Sequence, residues 1–113
     1  MNHLVNHIAE CCKRLDIRHE QTFHRIGTGN FGRSDKDIIN RWATWYLARA
    51  WYSKLGQYSL QEITDGSQMK GHCTVSDGVS KFAYAGVMVG RMDEAVKLLR
   101  TEGHKIVLPG EHP

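Results

Sequence analysis

Residues 59 to 81 read SLQEITDGSQMKGHCTVSDGVSK, from Ser59 to Lys81, and their order specifies two helices joined by a glycine-containing turn. Ser59 is a favourable N-cap, and Glu62, three residues on, completes a capping box. Leu60 and Ile63 give the short first helix a buried side, and Asp65-Gly66 is expected to end it. The second helix should open near Gly71-His72. Val75, Val79 and Phe82 recur at i, i+4 and i+7, which makes them the inward face. Cys73, Asp77, Ser80 and Lys81 fall opposite, while His72 and Thr74 occupy the first turn. The layout is that of a helix-turn-helix.

Around this stretch the chain has 113 residues, enough for one modest hydrophobic core. No apolar run approaches a membrane span. The opening MNHLVNHIAECC lacks the charged region and small-residue cleavage site of a secretory signal. Two of the three cysteines are adjacent, which suits a reducing cytoplasm better than a disulfide framework. Fifteen basic and twelve acidic residues give a formal charge of +3. That mild surplus fits a small DNA-binding domain and many soluble enzymes alike, so distribution carries more meaning than the sum.

Leu4, Ile8, Cys11 and Leu15 recur at helical spacing and predict an amphipathic helix over residues 3–15 with Cys11 in the core. His3, His7 and Cys11 lie one turn apart, a partial metal set, yet no CxxC or HExxH accompanies them and no metal site is expected. Residues 20–33, EQTFHRIGTGNFGR, contain a GxGxxG of Gly27, Gly29 and Gly32. A dinucleotide cradle needs a strand before these glycines and a βαβ unit around them. Neither is present, so a loop ending in Arg33 is the better reading. Ser34 should cap the next helix, which is expected to run to about Leu55 and to be ended by Gly56. Its apolar residues, Ile38, Ile39, Trp42, Trp45, Tyr46, Leu47, Trp51, Tyr52 and Leu55, cover most of the circumference, as in a central buried helix. The aromatic cluster therefore reads as core and not as a base-stacking platform. Farther on, MDEAVKLLRTEG predicts a helix with Ala95, Val96, Leu98 and Leu99 as its stripe and Gly103 as C-cap. HKIVLP reads as a short strand or extended arm that packs on the core, pairs with a second copy or serves a partner.

Several local features resemble the C-terminal DNA-binding domain of the bacterial replication initiator DnaA. Arg41-Trp42-Ala43-Thr44-Trp45-Tyr46-Leu47 is similar to the R-x-x-A-x-[YA]-L helix of that family, with the small residue shifted. Ser59-Leu60-Gln61-Glu62-Ile63 matches S-L-x-E-I, and Gly71-His72-Cys73-Thr74-Val75 resembles D-H-[TS]-T-V in the same frame. Arg33 falls where the family carries its basic-loop arginine, and VNHIAECCKRLDI resembles its opening helix. The likeness covers roughly residues 4–84.

The resemblance implies a mainly α fold, a compact helical domain with a DnaA-type helix-turn-helix over residues 1–86. Residues 87–113 would add a C-terminal helix and short extended tail, packed on that domain or on a partner. It also implies a recognition helix of about residues 71–83 in the major groove of double-stranded DNA, with the Arg33 loop in the neighbouring minor groove. Carried over by position, His72, Cys73, Thr74 and Lys81 would face bases or phosphates. Arg41 and Lys70 would hold the backbone or base edges nearby, and Gln61 would meet phosphate from the first short helix. The chain departs from the family where an aspartate becomes Gly71 and a threonine becomes Cys73. Asp77 adds a negative charge to the outward face, able to accept from cytosine N4.

Sequence-specific DNA binding in transcription regulation or replication-origin control is the function expected on these grounds, in a cytoplasmic, nucleoid-associated protein of a cell, phage or mobile element. No cofactor is implied, since the chain has no P-loop. The alternative is a protein-interaction module on the same fold, with residues 87–113 engaging a second copy or another protein. No nucleophile, base and orienting group occur at informative spacing, so an enzyme is not expected.

Overall fold

The structure, a computed structural model, describes residues 3–19, 35–53, 56–67, 72–85 and 90–107. Most of these residues are helical. The helices are α1 (His3–Arg14), α2 (Asp35–Ala50), α3 (Leu60–Gly66), α4 (His72–Ala85) and α5 (Gly90–Thr101). Three very short strands, β1 (Trp51–Ser53), β2 (Gly56–Gln57) and β3 (Lys105–Ile106), complete the described elements.

α2 is the hub. Ala43, Thr44, Trp45, Tyr46, Leu47 and Ala48 are all buried, a run spanning more than a full turn. Burial on every side requires neighbours on every side, and α1, α3, α4 and α5 all pack against it. Against α1 the core uses Ile8, Cys11, Cys12 and Leu15, and Leu4 is only half-buried. The Thr44 hydroxyl donates to the Asn40 carbonyl at 2.8 Å, so its burial leaves no polar atom unpaired.

The chain reverses where sequence periodicity predicted more helix. α2 stops at Ala50, and Trp51–Ser53 becomes the middle strand of an antiparallel β2-β1-β3 sheet. Gly56, expected to end the helix, instead begins β2 opposite Ser53. The cause is a distant partner: Trp51 pairs with Ile106 and Tyr52 with Lys105, and the Val107 N–H donates to the Ala50 carbonyl at 3.1 Å. These bonds satisfy backbone groups that a continued helix would have satisfied locally. The arm of residues 105–107 thus packs back on its own core, and Ile106 is buried.

Two helices end in the same capping motif. After α1, the Ile17 N–H reaches the Cys12 carbonyl at 2.8 Å and the Asp16 N–H reaches Lys13 at 3.1 Å, with Asp16 at φ 56°. After α5, His104 bonds to Leu99 at 2.9 Å and Gly103 to Arg100 at 3.1 Å, with Gly103 at φ 93°. Both are Schellman motifs, and Gly103 is the C-cap that the sequence indicated. The buried stripe of α5 is Met92, Ala95, Val96 and Leu99. Leu98, expected on that stripe, is 46% exposed because it lies one position off the i, i+3, i+4, i+7 row.

α5 is tied to the end of α1 at both of its own ends. Arg14 forms a two-pronged pair with the Glu102 carboxylate and also meets Glu10 at 2.8 Å. Arg91 donates to the Asp16 carboxylate at 2.6 Å and to its carbonyl at 3.0 Å.

Candidate nucleic-acid interface

The capping box that opens α3 is complete. Glu62 N–H donates to Ser59 Oγ at 3.1 Å, and Ser59 N–H donates to Glu62 Oε1 at 3.0 Å. The second bond, made to a backbone N–H, is the main reason the Glu62 carboxyl titrates below its ordinary range. Ile63 and Thr64 turn inward, Thr64 Oγ1 donating to the Leu60 carbonyl at 2.7 Å.

Gly66 does not end α3 as a left-handed cap; it is the last helical residue, and Ser67 is the cap. Its smallness serves a close crossing. A Cβ there would sit 2.4 Å from the Leu4 carbonyl oxygen of α1, far inside van der Waals contact.

One buried side chain touches both the cap of α3 and the inner side of α4. Trp45 of α2 donates from Nε1 to Ser67 Oγ at 2.9 Å, which fastens the start of the turn. The same indole lies under Gly78 of α4, where a Cβ would come within 2.7 and 2.8 Å of its Cε3 and Cζ3 carbons. α4 is thereby seated deep against α2. Val75 and Phe82 are buried, Val79 is packed at the margin, and the Phe82 and Tyr46 rings lie 5.2 Å apart.

The outward face of α4 follows from that seating. Cys73, Thr74, Asp77, Ser80 and Lys81 are all exposed, so the structure brings four of the expected site residues, Cys73, Thr74, Asp77 and Lys81, onto one helix face. His72 is the first residue of α4, though its side chain lies outside the described residues. Asp77 Oδ2 meets Lys81 Nζ at 2.9 Å, and the same ammonium stands 5.7 Å from the centre of the Trp42 ring on α2. Lys81 is the single lysine or arginine of α4 and Asp77 its single carboxylate. The face therefore carries no net formal charge.

Gln61 is exposed on α3, where its Nε2 donates to Asp65 Oδ1 at 2.9 Å. Arg41 is half-buried on α2. Arg33, Lys70, Gly71 and the whole Gly27–Gly32 loop lie outside the described residues. Reading the sequence missed three contributors: Trp42 as the support under Lys81, Trp45 as the anchor of the turn, and Gly78 as the point of close approach. Gly78 did carry a signal, since a glycine in a helix interior usually has a packing reason.

His7, Cys11 and Cys12 of α1 serve packing. His7 is buried with Nε2 3.2 Å from the Ala48 carbonyl, which can only accept, so this nitrogen carries the proton. Burial holds its titration below the ordinary histidine value, against the opposing effect of the Ala48 bond. Burial likewise pushes the Cys11 thiol well above its usual range, away from thiolate chemistry. Among the described residues no group of three or more histidine, cysteine or carboxylate side chains is placed to hold a metal ion. Nor, among them, is any helix long and apolar enough to cross a membrane. Set against models of known protein families, curated proteins and solved structures, the chain has no match.

Proposed function

We propose that this chain binds double-stranded DNA in a sequence-dependent way, with α4 in the major groove and the Arg33 loop in the adjacent minor groove. The observation that carries this reading is the seating of α4. Trp45 pins the turn at Ser67 and packs under Gly78, and this leaves Cys73, Thr74, Asp77 and Lys81 together on a rigid outward face. A helix presented in this way meets the geometric need of groove readout, in which a few side chains at its start reach base edges. Thr74 supplies a hydroxyl for either strand, Asp77 an acceptor for cytosine N4, and Lys81 a cation for phosphate. Arg33, Arg41 and Lys70 would add the backbone contacts that fix register, with Gln61 and His72 beside them. Such binding serves transcription regulation or the control of replication origins.

Selection of bound duplexes from a random pool, followed by sequencing, tests the proposal. An enriched motif supports it, and a palindromic motif adds that two copies bind together. Arg33→Ala should weaken binding and lower the salt slope by about one unit. Failure to retain any duplex at low salt would refute it.

The pairing of Lys81 with Asp77 favours a second reading, a protein-interaction module on the same fold. The single lysine or arginine of α4 is already paired with a carboxylate of its own helix. Removing residues 87–113 is not a clean test, because Met92, Ala95, Val96, Leu99 and Ile106 belong to the core. The pool selection itself separates the two readings.

A further inference from the structure

We propose that Trp51, held between His7 and His104, forms an acid-released latch that fixes the arm of residues 104–107 to the helical core. The geometry admits one proton arrangement at the centre. Trp51 Nε1 lies 3.1 Å from His104 Nδ1, and an indole nitrogen can only donate. Nδ1 must therefore offer a lone pair, which leaves the imidazole neutral with its proton on Nε2. A proton added to His104 goes to Nδ1. Two N–H groups then face each other, and the bond is lost.

His7 stands on the other side. Its ring stacks on Tyr58 at 3.9 Å and meets Trp51 edge-on at 4.9 Å, while His104 also meets Trp51 edge-on at 4.9 Å. A charge on His104 disfavours charge on His7, and His3 of α1 acts on His7 in the same sense. Glu62 of α3 opposes them by favouring a charged His7. Arg100 of α5, whose Nη2 donates to the Ile106 carbonyl at 2.9 Å, stays charged throughout and keeps a tether on the arm. Lys105 is the cationic residue on β3 itself.

The position of the contact makes it a latch. Trp51 begins β1 and pairs with Ile106, and Ala50 accepts from the Val107 N–H. His104 is the residue at which the chain leaves the α5 cap for β3. Loss of the Trp51–His104 bond therefore acts at the root of the arm, beside the two-residue ladder that holds it.

Amide hydrogen exchange on the intact chain tests this, with the Trp51 indole N–H followed by NMR. Between about pH 7.5 and about pH 5 the protection factors of Ile106 and Val107 should fall roughly tenfold or more beyond any fall at Leu47 and Ala48 in α2. The indole resonance should move with the same midpoint as the His104 ring protons. His104→Gln supplies an amide oxygen that accepts without titrating, and in that variant the excess fall at Ile106 and Val107 should vanish. An indole resonance that stays fixed over this pH range would overturn the proposal without recourse to any variant. So would an excess fall of equal size in His104→Gln.

Discussion

Replacing Gly78 by alanine tests the seating of α4 most directly, because two effects of opposite sign compete at that position. In a helix interior alanine is favoured over glycine by about 1 kcal/mol. Against this, the new methyl would lie 2.6 Å from Trp42 Cδ1 and 2.7 and 2.8 Å from two carbons of Trp45. Trp45 is only 1% exposed and bound through Nε1 to Ser67, so it has no free volume to enter. Overpacking of a tight core costs about 1–3 kcal/mol. If Trp45 yields, its buried hydrogen bond is lost as well, a further cost of about 1–3 kcal/mol. The net expectation is destabilisation near ~3 kcal/mol, or a melting temperature lower by about 12 °C at roughly 4 °C per kcal/mol. Urea and thermal unfolding, followed by far-ultraviolet circular dichroism and tryptophan fluorescence, measure it. In a Trp45→Phe background the contacted ring carbons are gone, and the same substitution should cost less by at least ~1 kcal/mol. A Gly78→Ala chain as stable as the parent would refute the claim that Trp45 packs hard beneath α4.

Gly66→Ala should cost about 2–4 kcal/mol in the same melts, because the obstructing atom is the Leu4 backbone and cannot rotate away. Ser59→Ala removes half of the capping box and should cost about 1 kcal/mol. Acidification should destabilise the fold through His7: its folded-state titration is lowered, so the unfolded chain takes up the proton first. That contribution is absent above the ordinary histidine value of about 6.5 and grows as pH falls below it; a His7→Phe chain should show a flatter stability profile there. Asp77→Asn frees Lys81, and in a salt titration with a random duplex it should tighten binding and steepen the slope by up to about one unit. No change in either quantity would separate Lys81 from phosphate contact.

The parts legible in the sequence are those whose cause is local. Ser59 and Glu62 are three residues apart, and their reciprocal bonds follow from that spacing alone. The inward row of Val75, Val79 and Phe82, and the outward row from Cys73 to Lys81, follow from helical period. The parts that stayed hidden depend on residues far away in the chain. Trp51 and Tyr52 extend an apolar helical pattern perfectly well, and only the pairing with Lys105 and Ile106 makes them a strand. Gly66 reads as a stop signal and Gly78 is passed over, yet each marks a helix crossing with Leu4 or Trp45. The contact between Trp51 and His104 spans 53 positions, so no spacing rule exposes it.

The position of β1 as the middle strand bears on how the protein is made. Its outer partner, residues 105–106, follows Trp51 in the chain by 54 and 55 positions and is synthesised correspondingly later. At about 5–20 residues per second, that gap lasts roughly 3–11 s. Throughout it, β1 lacks the β3 side of its ladder and the cover of Ile106, and the aromatic surface at Trp51 stays open. A nascent chain halted in this interval carries a sticky, half-paired edge that suits chaperone capture or misassociation with a neighbour. Completion of the sheet therefore comes late in synthesis, and slowing translation between residues 60 and 105 should lower the yield of folded protein more than slowing it earlier.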